Sequence, residues 1–513
     1  MARLVTRSTV DAAGLEAFLR PRVDLVLERD CGGNTFEAVE GPVRSYRRTV
    51  VADPLPGDDE PGDRGSHHVT QTVDFDLAVP YFWWVFYLPF RRTMARPGRP
   101  HPPWWAPPTR LDARAASVLG SLGVLAIMVG YLNTVFTQSI AFAAEEFGAS
   151  DTAQGAAGAV VRVGGVVALM VVSVADRRGR RLVLLWAAGA GSALVVTGAV
   201  APSLSWLTGS QVLARAFATA LALVIAIMAA EEMPAGARAY AVSLLAMAAG
   251  FGAALCLVSL PLVDLGIRGW RLLYVLPLLG LPLLAGVARH LPESRRFAAR
   301  TAAKVRLAGH GRRLWLLATA GLLTNLFFAS QSQFSNTFLR DEQGFSGGLI
   351  GLFSIVTATP AVVGIVIGGK FADTHGRRRV GAFCIATGAL FTTLIFFSDG
   401  WSTWVWATLG MTVSNASIPA LGVYGPELFP TSLRGRANGI VAMSALAGSA
   451  AGLLAAGVLS DYFGRIGPAM ACLAVGPALV AVLVLTCYPE TARRELEDLN
   501  PEDRSAPPGL GTR

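Results

Sequence analysis

Two arginines, Arg162 and Arg215, interrupt otherwise apolar runs deep enough to be transmembrane segments. A charge in such a place is costly and marks a functional site by default, with an anionic group as its natural complement. Uncharged polar residues accompany them: Asn133, Thr134 and Gln138 in one apolar run, Asn325, Gln331, Gln333 and Asn336 in another. These side chains can hydrogen-bond a solute or a neighbouring helix. Acidic residues are absent from the middle of every run, and Glu145, Glu146 and Asp264 stand at run ends. There is no P-loop, nucleophile elbow or metal-ligand cluster, so neither an enzyme nor an ATP-driven pump is expected, and no cofactor or metal. The cysteines Cys31, Cys256, Cys384, Cys472 and Cys487 make no CxxC pair and are read as reduced.

Positioning such groups requires a membrane bundle. Of 513 residues, 53% are hydrophobic and 15% charged, with mean hydropathy +0.48. That composition belongs to the membrane class. A spanning helix needs about 20 residues, and the stretch 115–488 divides into twelve: 115–140, 153–175, 182–203, 207–230, 239–262, 269–290, then 314–338, 347–372, 380–398, 401–424, 437–459 and 467–488. The boundaries set five regions: an N-terminal extension with juxtamembrane linker (1–112), a six-helix bundle (113–290), a central loop (291–313), a second six-helix bundle (314–488) and a tail (489–513). Arginines crowd the connections after the second, fourth and sixth helix of each half and explain the formal charge of +9 without nucleic acid. The positive-inside rule then places both termini in the cytoplasm, with the plasma (inner) membrane as the expected location. No apolar signal-peptide core precedes the first span, which is expected to direct insertion.

The two halves repeat. Asp176-Arg177-Arg178-Gly179-Arg180-Arg181 answers to Asp373-Thr374-His375-Gly376-Arg377-Arg378, 197 residues on. Glu231, Pro234 and Arg238 answer to Glu427, Pro430 and Arg434 at 196, and Pro292-Glu293 answers to Pro489-Glu490 at 197. Six helices per copy implies parallel repeats of the same orientation.

At these residues the chain resembles the major facilitator superfamily. The loop after the second helix of each half matches G-x-x-x-D-R/K-x-G-R-R/K, whole from Gly369 to Arg378 in the second copy, with Val172 replacing the leading glycine in the first. Gly269-Trp270-Arg271 and GPELFPTSLRGRANG, PESRRF and PETARRELEDL look like segments of sugar and metabolite porters. The resemblance spans roughly 115–500 and implies an all-α fold of twelve transmembrane helices. It also implies a latch on the arginine-rich side built from Asp176, Arg177, Gly179, Arg180, Arg181, Glu231 and Arg238 and from Gly369, Asp373, Gly376, Arg377, Arg378, Glu427 and Arg434. A solute site is then expected near mid-membrane, with Arg162, Arg215, Asn133, Gln138, Gln331, Gln333 and Asn336 as candidates. The partners are a small-molecule solute and the lipid bilayer, and a monomer is expected. The activity implied is secondary active transport by alternating access, an organic anion or metabolite being favoured by the arginines.

The extension departs from that pattern. Val69, Gln71, Val73, Phe75, Leu77 and Val79 alternate as in a strand, and AVPYFWWVFYLPF follows, apolar but too short to span. A small α+β unit is expected, whose aromatic segment either lies at the membrane interface or forms the unit's core. The alternative to transport is a solute sensor that signals through this extension.

Overall fold

The computed structural model describes residues 2–54, 67–103, 105–107, 109–234, 237–294, 310–429 and 433–491. The extension forms an antiparallel sheet of β1 (Ala2–Val10), β2 (Leu27–Asp30), β3 (Thr35–Glu40), β4 (Val43–Pro54) and β5 (His67–Leu77), ordered β1-β5-β4-β3-β2. Helix α1 (Ala12–Leu19) follows β1, and α2 (Trp83–Met94) follows β5. Alternation along β5 buries Val69, Gln71, Val73, Phe75 and Leu77 on one face, as a period of two requires. The reading of the aromatic segment as core holds for one face of α2. Phe90 and Tyr87 pack on Phe75, with ring centroids 4.8 and 6.0 Å away, while Trp83, Trp84 and Leu88 stay exposed.

Charges buried in this unit are paired, as burial demands. The Glu28 carboxylate accepts from Arg48 Nε (2.8 Å), Arg48 Nη2 (2.5 Å), Tyr46 Oη (2.6 Å) and the Arg22 backbone N–H (2.8 Å). Arg22 forks onto Asp24 and donates to the Thr93 and Arg96 carbonyls, a cation placed at the C-terminal end of α2.

The remaining chain is helical: α3 (Ala113–Glu146), α4 (Asp151–Arg178), α5 (Arg180–Thr197), α6 (Leu204–Glu232), α7 (Arg238–Val258), α8 (Trp270–His290), α9 (Gly311–Glu342), α10 (Gly347–Ala372), α11 (Arg377–Ile395), α12 (Trp401–Gly422), α13 (Arg434–Phe463) and α14 (Ile466–Cys487). Eleven described segments are long and apolar enough to cross a membrane. Helix α12, the tenth of the twelve in chain order, completes the set and is diluted by Ser, Thr, Asn and Pro419. Pro277 and Pro282 loosen α8 into a short 3-10 stretch, and α10 breaks at Pro360.

Small residues allow the closest helix crossings, as expected where lipid supplies no hydrophobic drive. A Cβ on Gly130 of α3 would lie 1.8 Å from the Ala249 carbonyl oxygen of α7, and one on Gly252 1.9 Å from that of Ile127. The second half repeats this contact: Gly448 and Gly452 of α13 meet the Leu322 and Leu326 carbonyls of α9, at 2.1 and 2.0 Å. The N-terminal unit is docked on the first bundle. Its exit segment runs along α3, where a Cβ on Gly120 would come 2.9 Å from the Pro80 carbonyl oxygen. Tyr81 sits edge-on to His290 of α8, and Tyr240 Oη of α7 donates to the Trp105 carbonyl at 3.1 Å.

Candidate functional site

At the arginine-rich end, each half builds the same cap from residues distant in sequence. The Glu293 carboxylate accepts the backbone N–H groups of Arg180 (2.8 Å) and Arg181 (3.2 Å), at the first turn of α5. Glu490 does the same for Arg377 (3.0 Å) and Arg378 (3.2 Å) at the start of α11. A carboxylate there satisfies orphan N–H groups and meets the positive end of the helix dipole. The glycine before each helix is required: Gly179 has φ +103° and Gly376 +97°, and a Cβ would approach Glu293 Oε2 to 2.5 Å or Glu490 Oε2 to 2.8 Å.

Buried Arg180 turns its guanidinium onto Glu231, with Nε to Oε2 and Nη2 to Oε1 both 3.1 Å, and Ser294 Oγ donates to the same carboxylate at 2.6 Å. Arg181 Nη2 donates to the Ala288 carbonyl at 2.7 Å, and Arg238 Nε to that of Met233 at 3.4 Å. In the second half Arg377 Nη1 donates to Thr491 Oγ1 at 3.2 Å, and Gly369 lies against Pro419 of α12. These bonds run within one half. The side chains of Asp176, Arg177, Asp373, Glu427 and Arg434 lie outside the described residues.

The opposite end joins the halves. Side-chain hydrogen bonds and ion pairs cross from one bundle to the other here. Asp461, at the end of α13, accepts the N–H groups of Asp151 (3.1 Å) and Thr152 (2.9 Å) at the start of α4. Asp264, beyond α7, accepts those of Gly347 (2.7 Å) and Gly348 (2.9 Å) at the start of α10. The two aspartates are 197 residues apart and related by the repeat. Asn336 Nδ2 donates to Gln138 Oε1 at 2.7 Å, Gln333 Nε2 to the Gln154 carbonyl at 3.1 Å, and Gln154 Nε2 to Thr337 Oγ1 at 2.5 Å. Arg340 pairs with Glu145 and donates to the Ala141 carbonyl at 2.6 Å. Gln331 instead bonds Ser335 within α9, at 2.8 Å.

Sequence reasoning overlooked Asp461 altogether and noted Asp264 only as an end residue. The offset of 197 was the signal that could have paired them. The repeat likewise relates Glu146, which takes a fork from Arg271 (3.1 and 2.9 Å) and Trp270 Nε1 (2.7 Å), to Glu342, which accepts the Ile466 N–H at 3.0 Å.

Between the two ends lie the arginines. Arg162 and Arg215 each stand eleven residues after the first residue of their helices, Asp151 and Leu204, about 16 Å along the axis. Their helices pack closely: a Cβ on Gly164 would lie 3.0 Å from the Arg215 Cβ. Arg215 Nη1 donates to the Asn133 carbonyl at 2.8 Å, and Asn133 Oδ1 is buried without a hydrogen-bond partner. Among the described residues neither guanidinium has a carboxylate partner, nor do three or more potential metal ligands cluster anywhere. The arrangement is a pair of like charges on adjoining helices, midway between the ends, with donors to spare.

The model of the Major Facilitator Superfamily matches residues 121–359 and again 318–510. No curated protein matches the chain by sequence. Similar solved structures include a bacterial homologue of the human lysosomal transporter Spinster, inward-facing and unoccupied (14% identity, 77% of this chain, 99% of that chain, TM-score 0.63). The xylose transporter XylE from E. coli, inward open, aligns at 16% identity over 76% of this chain and 99% of its own (TM-score 0.63). The nucleoside transporter NupG aligns at 13% over 72% of this chain and 100% of its own (TM-score 0.59). At such identities these likenesses speak for the fold alone. With the family model matched across both halves, and a twelve-helix repeat behind it, the chain belongs to the Major Facilitator Superfamily.

Proposed function

We propose that the protein is a secondary transporter that carries a small organic anion by alternating access, with Arg162 and Arg215 as its principal contacts. The observation that carries this reading is the arginine pair lying between the two ends of the bundle, which among the described residues has no carboxylate partner. A carboxylate or phosphate ester arriving there would take charge-assisted hydrogen bonds from both guanidinium groups, with Asn133 beside them. Arginine distribution supports a cytoplasmic position for the Glu293 and Glu490 caps. In that orientation the interhalf bonds of Asp264 and Asp461 lie at the extracytoplasmic end, which supports a conformation closed on that side. The spans hold no mid-membrane Asp, Glu or His, which favours exchange or uniport over proton symport.

The test is entrance counterflow in proteoliposomes with labelled carboxylates, phosphate esters, sugars and nucleosides, the last two because the names of similar structures mention xylose and nucleosides. An anion is expected to exchange, and Arg162→Gln or Arg215→Gln to cut its uptake about 30-fold or more, since truncating one partner of a desolvated charge pair costs about 2–5 kcal/mol. Exchange of neutral solutes alone would sink the anion assignment. Exchange of nothing in the panel would sink transport of these classes.

A further inference from the structure

A cavity of about 720 Å³ lies where the N-terminal unit meets the first bundle. Its walls are Leu119 and Ile127 of α3, Leu244, Ala248 and Phe251 of α7, and Val85 and Phe86 of α2, with only Asp24 and Arg110 charged. Both membrane helices line it from their arginine-rich ends inward. On α7 the lining runs from Tyr240 to Phe251, about 16 Å of helix and so about one leaflet of hydrocarbon. The mouth is apolar and uncovered, a face suited to contact with a bilayer: Trp84, Met247 and Phe251 are 63%, 66% and 62% exposed. An aromatic face of this kind settles at the membrane interface.

At the headgroup end a second cavity of about 450 Å³ shares Asp24, Pro89 and Trp105 with the first and is lined by Arg92, Arg96, Arg99 and His101. Asp24 is neutralised by Arg22 in a buried pair. Among the described residues the other four cationic or titratable side chains have no carboxylate partner. An apolar chamber at acyl depth thus adjoins a basic chamber at headgroup depth, and the apolar one opens to lipid.

We infer that this double cavity holds one anionic phospholipid from the leaflet on the arginine-rich side, its acyl chains against α2, α3 and α7 and its phosphate at Arg92, Arg96, Arg99 and His101. The volume of the apolar chamber is that of a ligand site, about 300–1,000 Å³, and the surrounding bilayer supplies the occupant at high local concentration. The lipid then bridges the N-terminal unit and the bundle and is separate from the mid-membrane arginines.

The full-length protein, purified in mild detergent, is offered equal amounts of phosphatidylglycerol and phosphatidylethanolamine with matched acyl chains, and retained lipid is counted by native mass spectrometry. One phosphatidylglycerol is expected to be retained, preferred about tenfold or more because each arginine near a charged headgroup contributes about 1 kcal/mol. Changing Arg92, Arg96 and Arg99 together to Gln should bring the preference near parity without abolishing retention, while Leu244→Trp with Ala248→Trp should fill the apolar chamber and lose both lipids. Thermal unfolding of each variant establishes that it is folded. Equal retention of the two lipids, a preference that survives the triple substitution, or a filled chamber that still holds lipid would overturn the inference. So would displacement of phosphatidylglycerol by inorganic phosphate, which would give the basic chamber to a soluble anion.

Discussion

Removing the two aspartates that hold the halves together should open the end they close. Each carboxylate takes two backbone N–H groups at the start of a helix in the other half, at 2.7–2.9 Å for Asp264 and 2.9–3.1 Å for Asp461. Losing a side-chain cap costs about 1–2 kcal/mol, and these bonds cannot survive separation of the halves at this end. Substitution therefore penalises the closed state and leaves the opened one nearly untouched. The sites lie on different helix pairs and should add, so Asp264→Ala with Asp461→Ala shifts the balance by about 2–4 kcal/mol, roughly 30- to 900-fold. Ser460 of α13 is a fitting reporter because it is 1% exposed and its hydroxyl has no partner. Cys introduced there, in a background with Cys31, Cys256, Cys384, Cys472 and Cys487 replaced, should react slowly with a membrane-impermeant maleimide. The rate should rise about fivefold or more with either aspartate removed, and further with both. An unchanged rate in a double variant that still elutes as a folded monodisperse species would refute the idea that these caps hold the end shut.

Gly179→Ala and Gly376→Ala should each lower thermal stability, by about 1–3 kcal/mol from positive-φ strain and the collision with Glu293 or Glu490; equal melting temperatures would contradict the cap geometry. Glu293→Gln keeps the shape but removes the charge at the helix dipole, and a loss of about 0.5–1 kcal/mol is expected in denaturant melts. Gly252→Val should prevent recovery of folded protein, since even a Cβ would meet the Ile127 carbonyl oxygen at 1.9 Å; normal yield and activity would show that α3 and α7 are free to separate. Tyr46→Phe removes one donor from the Glu28 carboxylate and should destabilise the N-terminal unit by about 1.5–3 kcal/mol, read by hydrogen exchange on β4 and β5.

Much of the architecture is local information and could be read directly. Apolar runs of spanning length, arginines on alternate connections, and three motifs recurring at 196–197 residues are properties of the chain as a string, because lipid forces each span to satisfy its own backbone. The β5 alternation was equally legible, since burial of one sheet face imposes a period of two on the sequence. Partner choice was not. Glu293 and Glu490 were visible only as repeated Pro-Glu pairs; that they cap α5 and α11 depends on where each half's sixth helix ends in space. The string puts Gln138 and Asn336, and likewise Asp461 and Thr152, in different halves, and only packing of α3 on α9 and α4 on α13 brings them within hydrogen-bond reach. Nor does any short-range pattern in residues 78–127 say that an aromatic helix will lie beside α3 and α7 and leave a lipid-sized space. Composition and periodicity constrain each helix separately, whereas the contacts between helices hang on backbone approaches, at Gly130, Gly252, Gly448 and Gly452, that exist only once the bundle is assembled.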